Sequence, residues 1–148
     1  MHKRPLNLLS LAGLLTIVAV LLHVGCIFFD ASWYRFMGAG EQMAQIVERG
    51  ETYPTIVTSV VTLVLLVWAA YAFSGAGKIL QLPLLRTGLV VIATILLARG
   101  LGFYFIMAAF PGNSLTFWIV SSSICVVLGL LYALGTKQSW QSMSGPTQ

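Results

Sequence analysis

Charged side chains are scarce in this sequence. It contains eight Lys and Arg and four Asp and Glu, so 8% of its residues are charged, whereas a soluble domain has about 25%. Hydrophobic residues make up 58% of the chain. A water-soluble fold of this length cannot bury so much apolar surface. The shortage of charge therefore excludes an ordinary soluble domain and favours an all-α membrane protein.

Several signatures of chemistry are also missing. The chain has two cysteines, Cys26 and Cys125, and neither belongs to a CxxC or Cys/His metal pattern. Their expected depths in a membrane differ by roughly 9 Å, which is too far for a disulfide. The G-x-G at residues 75–77 lacks the spacing of a phosphate loop. The sequence thus predicts no metal or cofactor, and it favours a protein that is not an enzyme.

The basic residues do not form the stripe that nucleic-acid binding needs. Most of them flank apolar stretches, which is typical of residues that set membrane topology: Lys3, Arg4, Lys78, Arg86 and Lys137. We therefore expect the lipid bilayer as a partner and no nucleic acid.

Four apolar stretches of roughly twenty residues are each long enough to span a bilayer. They predict spans at about 7–29, 55–73, 86–109 and 114–135, in one domain, 1–135, that forms a four-helix transmembrane bundle. The first stretch is too long for a typical signal peptide, so we expect an uncleaved anchor. Residues 136–148, rich in Ser, Gln, Gly and Pro, are expected to form a disordered cytoplasmic tail. In hydropathy and length the chain is similar to small four-span bacterial inner-membrane proteins.

The charges predict an orientation. All four acids, together with Arg35 and Arg49, lie near the loop 30–54, and the other basic residues outside the spans lie on the opposite side. The positive-inside rule therefore predicts a multi-pass protein of the bacterial inner membrane, with both termini cytoplasmic. Within the extracytoplasmic loop, Glu41, Gln45 and Glu48 share one face of a short amphipathic helix over 41–49.

Arg99 stands in the centre of the third apolar stretch. As one helix this stretch would be roughly 36 Å long, with Arg99 near the bilayer midplane. An unpaired arginine there costs about 2.5–3.5 kcal/mol, so we expect a carboxylate partner. Glu41 is the first candidate because Gly38 and Gly40 precede it, and Asp30 is the second.

The polar residues of the spans concentrate in the outer half, which predicts an outward-facing polar pocket around Arg99 with the Glu41 helix as a lid. Its ligand would be small and anionic or lipid-like, with a carboxylate or phosphate group. The expected ligand-binding residues are Arg99, His23, Glu41, Asp30, Ser59, Thr62 and Ser121, with Thr55 on the same wall.

Three alternatives stay open. Arg99 could form a structural ion pair that holds the loop on the helices, and His23 with Asp30 or Glu41 could catalyse acid–base chemistry. The chain could also be a structural or assembly subunit of a membrane complex. A stripe of small residues at i+4 spacing would then form contacts in a homo- or hetero-oligomer: Ser121, Cys125, Gly129 and Ala133.

Overall fold

A computed structural model describes residues 7–109 and 112–144. The described residues form seven α-helices and one short 3₁₀ helix, Ser142–Ser144. The α-helices are α1 (Leu8–Phe28), α2 (Asp30–Phe36), α3 (Glu41–Glu48), α4 (Tyr53–Gly75), α5 (Leu85–Leu101), α6 (Phe103–Met107) and α7 (Leu115–Ser139).

Three of these helices, α1, α4 and α7, are long and apolar enough to cross a membrane. Each is about 30 Å or more in length at 1.5 Å per residue, which matches the hydrocarbon core of a bilayer. The all-helical membrane class predicted from composition is thereby supported, and large apolar side chains such as Leu21 and Leu63 are exposed along the helices, as lipid contact requires.

The long helices pack in a ring of neighbours. α1 packs along α4 and α7, and α5 packs along α7 and, less extensively, along α4. The core between them is apolar, with Leu9, Leu89 and Tyr132 completely buried. This order leaves α1 and α5 on a diagonal, which separates His23 on α1 from Arg99 on α5.

The third apolar stretch is not one continuous helix. α5 has 17 residues, about 26 Å, and ends at Leu101, with Gly102 as the junction to α6. The Gly102 amide still bonds to the Ala98 carbonyl at 2.8 Å. Arg99 therefore lies in the last turn of a helix and not in the middle of one.

The short helices α2 and α3 pack against the long helices near the C-terminus of α1. Their contact with α1 is a small buried cluster of Cys26, Ala31, Tyr34 and Ala44. The Tyr34 hydroxyl lies 2.8 Å from the Thr58 hydroxyl of α4. The loop thus folds into ordered helices that are fixed to the long ones.

The expected disordered tail is wrong for residues 136–144. α7 continues to Ser139, and the following turn places Met143 in the apolar core, 8% exposed. Arg86 fixes the turn, because its Nη2 donates to the Trp140 carbonyl at 2.6 Å and its guanidinium lies 4.6 Å from the Trp140 ring centre. Residues 145–148 of the expected tail lie outside the described residues.

Candidate functional site

Arg99 is the centre of a small polar cluster between α5 and α7. Its Nη1 donates to Ser122 Oγ at 3.3 Å and its Nη2 to Ser121 Oγ at 3.4 Å. Its guanidinium carbon lies 4.9 Å from the centre of the Trp118 ring, within the range of a cation–π contact. Ser122 and Trp118 are buried, whereas Arg99 and Ser121 are partly exposed.

The hydrogen bonds of Arg99 are long and few. N–H···O bonds are most often about 2.9–3.0 Å, and a guanidinium has five N–H donors. Within residues 7–109 and 112–144, two of these donors have hydroxyl acceptors at 3.3 and 3.4 Å. Hydroxyls carry no charge, so this contact set leaves the arginine charge without a counter-ion.

The position of Arg99 in the last turn of α5 supplies part of its stabilisation. The carbonyl groups at the C-terminus of a helix carry a partial negative charge, which is worth about 0.3–1 kcal/mol to a nearby cation. That is smaller than the cost of about 2.5–3.5 kcal/mol for an arginine inside a membrane. At the centre of a membrane, the end of the helix alone would not offset that cost.

The expected carboxylate partner is wrong. Glu41 instead pairs with Arg35, whose Nε and Nη2 donate to its two carboxylate oxygens at 2.8 and 2.7 Å. Arg35 also donates to Glu48 at 2.7 Å. Among the described residues, which include all four acids, Arg99 forms no ion pair. Glu41 pairs with Arg35 because Arg35 lies only six residues before it, on the preceding helix.

The ion pair between Arg35 and Glu41 changes the pKa of both side chains. Hydrogen bonds from Arg35 lower the pKa of Glu41, and the bonds to Glu41 and Glu48 raise the pKa of Arg35. All three side chains are exposed, so the pair orients α2 and α3 relative to each other and contributes little stability. Asp30, the other candidate partner of Arg99, is also exposed. It is the first residue of α2 and has a φ of 55°.

The remaining predicted site residues bond to their own helices. His23 Nδ1 lies 2.7 Å from the Ala19 carbonyl, and no carboxylate is among its recorded partners in the described chain. Ser59 and Thr62 donate to the Thr55 and Thr58 carbonyls, each at 2.7 Å. The structure thus brings Arg99 and Ser121 together but records no contact between this pair and the other five predicted residues.

Two residues of the cluster were not named as site residues from sequence. Trp118 lies three residues before Ser121 and four before Ser122, so it follows from helical spacing once either serine is known to face Arg99. Adjacent residues such as Ser121 and Ser122 do not share a helix face, so Ser121 alone did not predict Ser122. The stripe that contains Ser121 is used inside the chain, because Gly129 packs against Leu97 of α5. Its use between chains stays a prediction.

No metal site is present in the described ranges, since no three His, Cys, Asp or Glu side chains lie close enough to share an ion. The chain matches no protein-family model, no curated protein and no solved structure.

Proposed function

We propose that this chain is a four-span protein of the bacterial inner membrane that binds a small anionic or lipid-like ligand at Arg99. The fourth span would be α5 continued by α6, which together cover residues 85–107 and about 35 Å of helix. Both termini would be cytoplasmic, so that α2 and α3, with α3 as the amphipathic helix, cover the outer face.

The single observation that carries this proposal is that the charged guanidinium of Arg99 has no carboxylate partner among the described residues. A guanidinium presents a planar fork that matches the two oxygens of a carboxylate or a phosphate. Here Ser121 and Ser122 hold one side of it, and three N–H groups have no acceptor in the described chain. An anion bound to those groups would be paired with Arg99 and would offset the cost of its burial.

The ligand chemistry proposed is a singly or doubly negative group of small size. Its source is either a free carboxylate or phosphate compound, or the phosphate of a membrane lipid. Trp118, with its ring against the guanidinium, would keep Arg99 oriented while the ligand exchanges. The ligand proposal does not depend on the expected pocket walls His23, Ser59 and Thr62, because these side chains bond to carbonyls of their own helices.

Native mass spectrometry of gently extracted protein tests the proposal. We expect a bound anion on the wild type whose mass separates a metabolite from a phospholipid, and we expect Arg99→Gln to lose it at least tenfold. The matched control is Arg49→Gln, since Arg49 is exposed and paired with Glu51, and it should retain the anion. An adduct of equal abundance in wild type and Arg99→Gln would overturn the proposal.

The assembly alternative predicts a different result from the same sample. If a partner chain supplied a carboxylate to Arg99, the wild type would be recovered with that chain bound, and Arg99→Gln would release it. Recovery of such a complex with no small anion would replace the ligand proposal with the assembly function.

A further inference from the structure

A second candidate site is a cleft between α5 and the C-terminal half of α7. Its volume is about 710 Å³, within the range of about 300–1,000 Å³ that is usual for ligand pockets. Lys137 is separated from Ser121 by sixteen residues of α7, or about 24 Å. The mouth of the cleft is thus remote from the Arg99 cluster, whereas its apolar part reaches Leu97, two residues before Arg99 on α5.

The cleft changes from apolar to polar along its length. The part nearer the middle of the helices is lined by Val90, Ala93, Leu97 and Ala133. The part nearer the helix ends is lined by Trp140 and by polar side chains, among them Lys137 and Gln141. Thr94, also in the lining, turns its hydroxyl to the Val90 carbonyl at 2.8 Å, so the deep part offers almost no polar partner.

The wall at the mouth is held in place. Trp140 is fixed by Arg86, which stacks on its ring and donates to its carbonyl. The charges recorded at this end of the molecule are all positive, Lys78, Arg86 and Lys137, because every acid of the sequence lies between residues 30 and 51. In the described chain Lys137 has no ion-pair partner, so an anion at the mouth would meet an available ammonium group.

We propose that this cleft binds one phospholipid with an anionic head group. An acyl chain fits the apolar part between α5 and α7, and the phosphate fits the mouth beside Lys137 and Gln141. Basic pockets between membrane helices bind anionic head groups in this way, and tryptophan is favoured at the same interface. A free phosphate would leave the apolar part unused, which is why the proposal commits to a lipid.

The experiment compares lipid retention in nanodiscs made of equal parts phosphatidylglycerol and phosphatidylcholine. Native mass spectrometry of the released protein should show phosphatidylglycerol retained in preference to phosphatidylcholine. Lys137→Gln should reduce that preference about fivefold, the effect expected for one cation near a lipid surface. The matched control is Lys78→Gln, because Lys78 is exposed at the same end but does not line the cleft, and it should leave the preference unchanged.

A second variant tests the apolar part without changing charge. Thr94 is exposed and lines the cleft, so Thr94→Trp should fold normally, fill the space and lower the retention of both lipids. Arg99→Gln should leave the Lys137-dependent retention intact, which separates this proposal from the ligand at Arg99. Equal effects of Lys137→Gln and Lys78→Gln would overturn it, and so would a wild-type dimer that Thr94→Trp dissociates, since a second copy would then occupy the cleft.

Discussion

The hydroxyl of Tyr132 connects three helices at the centre of the molecule. It donates to the Trp68 carbonyl of α4 at 3.0 Å and lies 3.1 Å from the Thr16 hydroxyl of α1, while Tyr132 itself belongs to α7. All of this occurs at a residue with no exposed surface. If this contact is lost, neither water nor lipid can reach the buried groups to replace the hydrogen bond.

Tyr132→Phe should therefore destabilise the protein by about 0.5–2 kcal/mol, the usual worth of a hydrogen bond inside a protein or a membrane helix bundle. The loss is measured by unfolding in sodium dodecyl sulfate, followed by tryptophan fluorescence. Tyr71→Phe is the control, since the Tyr71 hydroxyl donates to the Pro83 carbonyl at an exposed position and its loss should be close to neutral. Equal stabilities of the two variants would contradict the central role of Tyr132.

At the residue scale, the sequence predicted part of the site. The need of Arg99 for polar partners followed from its apolar surroundings, and Ser121 was among the expected residues. The identity of its partners depends on which helix packs against α5, and no local pattern encodes that. The carboxylate expected to pair with Arg99, Glu41, pairs with Arg35 instead. The short sequence separation of Arg35 and Glu41 could have predicted that pair.

Gly100 lies where α5 packs closely against α7. A Cβ added to Gly100 would lie 2.9 Å from both the Ser122 carbonyl oxygen and the Val126 amide nitrogen of α7. These are backbone atoms and cannot rotate away as a side chain can. The close approach is what brings Arg99, the preceding residue, within reach of Ser121 and Ser122.

Gly100→Ala should push α5 and α7 apart and cost about 1–3 kcal/mol, as overpacking of a tight contact does. It should also weaken whatever ligand Arg99 retains. Stability is measured as for Tyr132→Phe. Ala98→Leu is the control, because Ala98 is exposed on the other side of the same helix and adding three carbons there should change little. A stable Gly100→Ala protein would show that the helices tolerate separation.

Ala98 and Gly102 have the small-xxx-small spacing that is typical of close helix approach, but Ala98 is exposed. The buried residues of α5 instead follow the helical period through Leu89, Ile92, Leu96 and Gly100. Extending that period by one turn would have identified Gly100. Gly102 has another role, because the helix ends there, and a break inside an apolar run leaves no signal in hydropathy.

At the scale of the whole molecule, apolar runs were sufficient to predict helices long enough for a membrane. They were not sufficient to predict the structure of the segments that follow the long helices, α2 and the end of α7. Trp33, Tyr34 and Phe36 are residue types that suit a membrane surface, yet Tyr34 is 3% exposed and bonds α2 to Thr58 of α4. The end of α7 was read as disorder because Ser and Gln dominate there, yet Trp140 and Met143 tie it to the rest.

The number of spans is the remaining property of the whole molecule, and the short α5 makes it testable. If α5 and α6 together cross the membrane, the loop at Gly50 lies on one side and both Lys78 and Gln141 lie on the other. If α5 failed to cross, α7 would start on the inner side and Gln141 would appear with Gly50. That arrangement contradicts the fold, in which the start of α7 lies against Gly38 and its end against Leu8.

Single cysteines at these positions distinguish the two arrangements, in a background with Cys26→Ala and Cys125→Ala. A membrane-impermeant maleimide added to spheroplasts should label Gly50→Cys at once, whereas Lys78→Cys and Gln141→Cys should react only after the membrane is permeabilised. That result follows from four crossings and from the positive-inside rule. Labelling of Gln141→Cys in intact spheroplasts would contradict four crossings and the packing of the end of α7 beside the start of α1, where the Leu8 amide donates to Gln138 at 3.2 Å.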